Sequence, residues 1–316
     1  MKTKLMELLK IKYPIIQGAM AWVSDGELAA AVSNAGGAGT IAAGGRTTAW
    51  VEEQIQIARK MTDKPFGVNI MLQGQNRDEI AQLVCNEKLA FATLGAGNPV
   101  PYIEMLRKAD VKVIPVVPNV RLAKRVEENG ADAIVIEGME AGGHVGNLTA
   151  MALMTQVIPE VSIPVIAAGG IADGRGLMAA LVMGAAGVQM GTRFYASTEC
   201  NAHPNAKNKV VEAVDTDTVL TGYLHKHYVR GIRNKMTDQY LELEKQGGSE
   251  EELGKVFIGT NKKGACDGDV EWGSIQAGQS LTVIDRIESC DEIIQKIMKD
   301  AEKALIKTIE NNALKV

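Results

Sequence analysis

Eight short apolar runs along the first two thirds of the chain constrain the fold more than any other feature of this sequence. They occupy residues 13–20, 38–43, 65–71, 89–97, 112–118, 133–138, 164–170 and 187–192. The stretches between them have the periodicity of amphipathic helices. Near-continuous apolar strands are typical of parallel sheets covered by helices. Because eight strand–helix units occur, we predict a closed (β/α)8 barrel of the TIM type instead of an open doubly wound sheet.

The pattern changes after the eighth run, where the chain becomes more polar. We predict a barrel at residues 1–199, a small inserted lid domain at residues 200–265, and a return segment with a C-terminal helix at residues 266–316. The return segment carries the glycine-rich stretch 268–280. The helix is predicted over residues 285–310, which are charged and amphipathic.

Composition excludes several classes of function. A net charge of −4 argues against a broad surface for nucleic acid or anionic membrane. The four cysteines are far apart and form no CxxC motif, so we expect reduced thiols in a cytosolic protein. No apolar run approaches the roughly 20 residues that cross a bilayer, and the N-terminus lacks a signal-like apolar core. We therefore expect a soluble cytoplasmic protein with neither a nucleic-acid nor a membrane partner.

The longest interval between predicted strands contains the stretch "EGMEAGGHVG", residues 137–146, with one of only four histidines. A loop that follows a barrel strand lies at the carboxyl-terminal face, where such barrels place their active sites. An imidazole with a pKa near 6.5 can donate a hydrogen bond or move a proton without a partner residue. His144 is therefore either catalytic or an ordinary loop histidine. Glu137 either positions this loop or contacts a ligand.

The last two predicted strands end in the glycine-rich stretches "AAGGIADGRG" and "MGTRF". Backbone N–H groups at Gly169, Gly170, Gly191 and Thr192 can surround a phosphate, since glycine lets the backbone approach closely. Barrels often bind phosphate through these two loops. The alternative is that the glycines only make tight turns.

Other polar residues leave two interpretations open. Gln17 and Asn69 lie at the ends of apolar strands and either bind a heterocycle or satisfy loop backbone. The basic stretch "HKHYVRGIRNK", residues 225–235, is either a solvated helix face or an anion-recognition patch. His225 and His227 are two residues apart and would not share a helix face, so no metal site is predicted.

Several stretches together resemble the FMN-dependent enoyl-acyl-carrier-protein reductases of bacteria, often called enoyl-ACP reductase II. They include "YPIIQGAMAWVSD", "DKPFGVNIML", "EGMEAGGHVG", "PVIAAGGIADGRG", "NAHPNAK" and "GSIQAGQS". The nitronate monooxygenases, once called 2-nitropropane dioxygenases, share the barrel and the "AGGH" and "AAGGIADGRG" loops. The stretches "QGAMAWVSD", "NAHP" and "VRGIRNK" are more similar to the reductase branch.

This resemblance implies that FMN lies across the barrel mouth, with His144 beside its ring as the catalytic residue for hydrogen bonding and proton transfer at the substrate. The residues that it implies for cofactor binding are Gly18, Ala19, Met20, Asn69, Glu137, Gly142, Gly143, Gly169, Gly170, Gln189, Gly191, Thr192, Ser274 and Gln279.

The resemblance also implies the reaction: reduction of trans-2-enoyl thioesters of acyl-carrier protein, with NAD(P)H as co-substrate, in bacterial fatty acid elongation. The alternative is a nitronate monooxygenase that oxidises nitroalkanes or nitronates with O2. A flavin-free barrel isomerase or synthase and a ligand sensor are the remaining hypotheses. A homodimer is expected, while a requirement for a monovalent cation is left open.

Overall fold

The structure, a computed structural model, describes residues 2–311 of the 316-residue chain. Within these residues the chain forms eleven strands: β1 (Ile15–Gln17), β2 (Gly39–Ala42), β3 (Phe66–Met71), β4 (Phe91–Gly95), β5 (Lys112–Val117), β6 (Ile134–Glu137), β7 (Gly143–His144), β8 (Val165–Ala168), β9 (Gly187–Met190), β10 (Thr218–Thr221) and β11 (Val229–Ile232).

Eight of these strands form a parallel barrel in the order β1-β9-β8-β6-β5-β4-β3-β2. The barrel closes between β1 and the residue before β2. There the Gln17 N–H donates to the Ala38 oxygen and the Ala38 N–H donates to the Ile15 oxygen, both at 2.9 Å. Each of the eight apolar runs contains one barrel strand, so the predicted TIM-type fold is confirmed.

The same part of the chain contains two short 3-10 helices (Ile158–Glu160 and Leu281–Val283) and fourteen α-helices: α1 (Lys4–Leu9), α2 (Gly26–Asn34), α3 (Thr48–Met61), α4 (Arg77–Asn86), α5 (Val100–Lys108), α6 (Val120–Glu128), α7 (Ala150–Val157), α8 (Gly174–Val182), α9 (Thr192–Tyr195), α10 (Pro204–Glu212), α11 (Lys235–Lys245), α12 (Glu250–Phe257), α13 (Thr260–Ala265) and α14 (Cys290–Asn311). Local chemistry sets several helix starts. The Asp25 carboxylate accepts from the Leu28 N–H at 3.0 Å and caps α2, and Asp173 caps α8 through the Gly176 N–H at 2.9 Å.

Buried apolar residues form two clusters because successive strand residues point to opposite faces. One cluster draws on alternate strand residues, together with α1 leucines at the amino-terminal end: Ile16, Phe91, Ile114, Val135, Ile166, Leu5 and Leu9. Their neighbours along the strands belong to the cluster that packs against the helices: Ile15, Ala92, Val113, Ile134 and Ala167. This double burial explains why the strands are continuously apolar.

Residues 200–265, which we call the lid, carry the other strand pair and four helices. Strands β10 and β11 form a three-stranded antiparallel sheet with β7, in the order β10-β11-β7. Since β7 belongs to the loop after barrel strand β6, the lid and the barrel share this sheet. The division of the chain into separate domains stays a prediction.

Two sequence-based predictions of helix are corrected by the structure. The stretch 225–235, considered as a helix face, contains strand β11 and ends where α11 begins. The C-terminal helix begins at Cys290 instead of residue 285, because Ser289 and Glu292 form a capping box. The Glu292 N–H donates to Ser289 Oγ at 3.2 Å, and the Ser289 N–H donates to Glu292 Oε2 at 2.8 Å. The predicted end of the C-terminal part, residues 312–316, lies outside the described residues.

None of the helices between residues 2 and 311 is long and apolar enough to span a membrane.

Candidate active site

A cleft opens at the carboxyl ends of strands β1, β6, β8 and β9. It holds about 560 Å³ of empty space, counting its opening to solvent, which is within the roughly 300–1,000 Å³ of small-molecule sites. Ten of the fifteen predicted site residues line it: Gly18, Ala19, Met20, Glu137, Gly142, Gly169, Gly170, Gln189, Gly191 and Thr192. The barrel topology brings these residues together, since strands distant in sequence end side by side.

The loop after β8 is shaped to present its backbone N–H groups to the cleft. Gly169 and Gly170 have φ of +92° and +71°, which favour glycine. A Cβ at Gly169 would also lie only 2.8 Å from the Gly138 oxygen. The N–H groups of Gly169, Gly170 and Gly191 have no hydrogen-bond acceptor among residues 2–311. Free N–H groups on adjacent loops form a suitable cradle for an anion such as a phosphate.

Two polar side chains at the floor of the cleft also lack partners. Glu137 is in register with Ala168 of β8, which is in register with Gln189 of β9. Neither the Glu137 carboxyl nor the Gln189 amide makes a hydrogen bond to any other described residue. Burial raises the pKa of Glu137 to about 7, so both protonation states are accessible near neutral pH. This pair offers donors and acceptors to the polar edge of a ligand.

The return segment closes the cleft by very close contact with the loop after β6. A Cβ at Gly142 would lie 2.7 Å from the Ala277 backbone, and one at Gly278 would lie 2.6 Å from the Glu140 oxygen. The Gly278 N–H donates to Thr192 Oγ1 at 2.9 Å, which joins the return segment to the first residue of α9. The loop after β6, the start of α9 and the return segment therefore form one wall.

Within the return segment, the side chains that face the cleft are not the ones predicted. Gln276 and Ser280 line it, whereas Gln279 is exposed to solvent. Ser274 is buried elsewhere, and its N–H donates to the Thr260 oxygen at 2.8 Å. The segment has no regular secondary structure, so no periodicity indicates which side chains face inward.

Glu140 also lines the cleft and was missed in the sequence. Its carboxylate oxygens accept from the Ala150 N–H at 3.0 and 3.1 Å and so cap α7. A carboxylate at a helix start is a recognisable signal, but ten residues separate it in sequence from the helix that it caps.

Asn69 and Gln17 lie away from the cleft wall. Asn69 Nδ2 donates to Thr93 Oγ1 at 2.9 Å at the carboxyl end of β3. Gln17 is fully buried, donates to Ser24 Oγ at 3.0 Å and accepts from the Thr40 N–H at 2.9 Å. Of the two interpretations of Gln17, the structure supports satisfaction of the loop backbone.

His144 is paired with the lid and lines a different space from this cleft. As the second residue of β7 it lies opposite Val229 of β11, and the next residue, Val145, donates its N–H to the Tyr228 oxygen at 3.1 Å. The imidazole lines a groove formed by residues of the lid and keeps some exposure to solvent. Desolvation and the nearby His227 lower its pKa. It is therefore neutral at pH 7. Gly143 lies beside it, opposite Arg230.

The basic stretch does not form a free anion-recognition patch. Arg230 is buried, and its guanidinium donates to the Met139 oxygen at 2.9 Å, which joins the lid to the loop after β6. Arg233 and Lys235 are exposed but pair with Asp238 and Glu271, each at 2.7 Å. Most of this cationic charge is thus engaged within the protein.

The sequence profile of the nitronate monooxygenase family matches residues 2–88 and 72–300 of this chain. A (3aS,4S,5R,7aS)-5-hydroxy-7a-methyl-1-oxo-octahydro-1H-indene-4-carboxyl-CoA dehydrogenase of Rhodococcus jostii (strain RHA1) is 32% identical, over 96% of this chain and 97% of its own. A probable nitronate monooxygenase of Staphylococcus saprophyticus is 30% identical, over 96% of this chain and 99% of its own.

Solved structures extend this similarity to three dimensions. FabK from Thermotoga maritima matches with a TM-score of 0.95 and 43% sequence identity, covering 98% of this chain and 99% of that chain. The shared architecture includes the barrel, the lid and the return segment, because the match covers nearly the full length of both chains.

Proposed function

We propose that this chain, which belongs to the nitronate monooxygenase family, is an FMN-dependent reductase of trans-2-enoyl thioesters that uses NAD(P)H. The observation that carries the proposal is the full-length match to FabK, an enoyl-acyl-carrier-protein reductase II and thus a member of the class that the sequence resembles. An oxidoreductase of this family needs a redox group, and the cleft has features that suit FMN.

The residues of the cleft fit FMN at both of its polar ends. The N–H groups of Gly169, Gly170 and Gly191 have no protein acceptor and would bind the phosphate. Glu137 and Gln189, which also lack partners, would bind the polar edge of the cofactor, and Gly18, Ala19 and Met20 would line its side. FMN, when bound, supplies the hydride chemistry. The protein supplies binding, orientation and electrostatics.

His144 would act on the substrate. Because its pKa is lowered, the imidazole is neutral at pH 7 and offers one N–H donor. We assign this donor to the thioester carbonyl oxygen, where negative charge develops as hydride reaches Cβ. Stabilising that charge lowers the barrier. The proton for Cα then comes from a water molecule beside the imidazole, and that water is reprotonated from solvent.

The thioester is proposed to be carried by acyl-carrier protein, as in bacterial fatty acid elongation. The Rhodococcus relative is named as acting on a CoA thioester, so a thioester of CoA is also a suitable test substrate. Because the basic stretch is largely engaged in internal contacts, we do not assign binding of the carrier to Arg230 or Arg233.

A second candidate, oxidation of nitronates by O2, is supported by the family profile and by the name of the Staphylococcus relative. In that case His144 would face a nitronate, and O2 would reoxidise the flavin. The residues of the cleft do not distinguish the two functions, since both need the same cofactor.

One anaerobic stopped-flow experiment separates them. The purified protein is reduced with NADH or NADPH and then mixed with crotonyl-CoA, with a nitronate or with O2. Fastest reoxidation by crotonyl-CoA supports the reductase. Fastest reoxidation by O2, with oxygen uptake that depends on nitronate, refutes it and supports the monooxygenase. A colourless protein with no flavin spectrum refutes both.

A further inference from the structure

The groove that His144 lines is a second space, distinct from the cofactor cleft. This lid groove is framed by strands β10 and β11 and by helices α11 and α12, and it holds about 730 Å³, counting its opening to solvent. Its walls include the apolar side chains Val229, Tyr240, Leu253 and Phe257. Tyr240 and Phe257 pack edge to face, with ring centroids 5.8 Å apart. The other lining residues are Gly254 and the polar or titratable His144, Thr221, His225, His227 and Glu250. The apolar side of the groove suits an apolar ligand group.

Gly254 is one of the residues that line this groove. It lies inside α12, where glycine costs roughly 1 kcal/mol of helix stability relative to alanine. Its φ is not left-handed, and an added Cβ would meet only Ile258 Cδ1, at an ordinary 3.5 Å. Neither backbone conformation nor a close neighbour therefore requires glycine here. Gly254 does line the groove, and an added Cβ has room at this position.

The groove and the cleft meet at the loop that carries β7. Gly142 lines the cleft, while His144, two residues later, lines the groove. Gly143 between them lies next to Gln276 of the cleft wall, whose Oε1 is 3.0 Å from the position of an added Cβ. A long ligand in the groove would thus have one end beside His144 and the cofactor cleft.

We propose that the lid groove binds the acyl chain of the enoyl thioester, and that Gly254 and Phe257 limit the chain length that is accepted. This inference rests on the proposed reductase function. Each CH2 group buried against the apolar wall increases transition-state affinity about fourfold, equivalent to about 0.8 kcal/mol. Specificity for longer chains therefore rises until the groove is filled.

The test is the ratio of kcat/KM for dodecenoyl-CoA to kcat/KM for crotonyl-CoA. Gly254→Leu fills the groove from the α12 side and is expected to lower this ratio at least tenfold. Gly254→Ala adds one methyl group, favours the helix and is expected to lower the ratio less. Lys255→Leu is the matched control, because it adds the same side chain to an exposed position one residue further along α12. It should keep the wild-type ratio.

An unchanged ratio in both Gly254 variants, with flavin retained, overturns the acyl-chain site. Failure of the reductase proposal would look different, since the wild type would then reduce neither thioester. Calorimetric titration with saturated dodecanoyl-CoA tests the groove in that case. Binding that Gly254→Leu weakens at least tenfold, and Lys255→Leu does not, supports the groove without the reaction; equal binding by all variants refutes it.

Discussion

His144 lies directly opposite Val229, in the short antiparallel pairing that joins barrel loop and lid. The side chain proposed to act on substrate is therefore oriented by the lid, although it follows a barrel strand in sequence. Gly142, just before this two-residue strand, lines the cleft, and His144 within it lines the lid groove, so the pairing sets the position of the imidazole relative to both. Changes in the lid should accordingly affect the substrate half of the reaction more than cofactor binding.

Replacing His144 with alanine should keep the flavin but slow its reoxidation by enoyl thioester about 10²-fold or more, the usual scale of acid–base assistance. Reduction by NAD(P)H should change less, since the imidazole lies outside the cofactor cleft. Stopped-flow measurement of the two half-reactions checks this. His203→Asn serves as the control, because His203 caps α10 through the Asn205 N–H and asparagine preserves a cap. An unaffected oxidative half-reaction in His144→Ala would leave His144 a structural loop residue.

Gly170→Asp should abolish tight FMN binding. Position 170 has φ of +71° and lines the cleft, so aspartate adds strain, bulk and a negative charge beside the proposed phosphate cradle. The matched control is Gly247→Asp, at a φ of +76° with nothing within 4 Å of an added Cβ, which imposes similar strain away from the cleft. Equilibrium dialysis of FMN compares the two. Equal affinities would place the phosphate elsewhere.

The free energy of unfolding of the FMN-free protein should fall as the pH rises from about 4.5 to about 7, because of the titration of Glu137. Burial raises its pKa in the folded state from 4.5 to about 7, so the folded protein binds this proton more tightly than the unfolded chain does. The resulting stabilisation is fully present below pH 4.5, the pKa in the unfolded chain. It is lost as the pH rises through about 7, the pKa in the folded protein. Denaturation at a series of pH values should show a flatter profile for Glu137→Gln. Glu53→Gln, on the exposed side of α3, is the surface control, and three superimposable profiles would contradict the assignment.

Arg230→Met should loosen the lid. Arg230 is buried and donates to the Met139 oxygen at 2.9 Å and to Thr218 Oγ1 at 3.2 Å, so losing these bonds costs about 1.5–3 kcal/mol each by the usual scale for charged donors. The enoyl half-reaction should slow as the His144 strand loses support. The exposed neighbour is the control: Arg233→Gln should change the free energy of unfolding by no more than about 1 kcal/mol. Equal free energies of unfolding for Arg230→Met and Arg233→Gln in urea denaturation would show that Arg230 does not join the lid to the barrel.

Glu288→Ala should be strongly destabilising. Its carboxylate pairs with the buried Arg193 of α9, the helix that follows the loop after β9. Removing one partner leaves a buried charge uncompensated, which costs about 3–5 kcal/mol. Glu271→Ala breaks an exposed pair with Lys235 and should cost little. Thermal unfolding of the two variants provides the comparison, and similar midpoints would show that the buried pair contributes no more than a surface one.

The barrel and the glycine turn after β8 were predictable because their determinants are local. Each apolar run indicates a strand by its own composition. Gly169 and Gly170 indicate a tight turn, because the left-handed backbone conformation found there favours glycine. The carboxyl ends of parallel strands must meet at one face, so Glu137, at the end of its apolar run, could be placed at that face from the sequence.

The tertiary structure decided what depends on contacts between distant segments. Gln276 and Ser280 face the cleft, while Ser274 and Gln279 do not, because close packing against Gly142 and Glu140 sets the path of an irregular segment. Arg230 is buried since its partner, Met139, lies 91 residues away in sequence. His144 faces the lid groove because β11 pairs with its strand. Hydrophobic periodicity and turn chemistry act over a few residues, so they specify elements, whereas side-chain direction in loops follows from packing between elements.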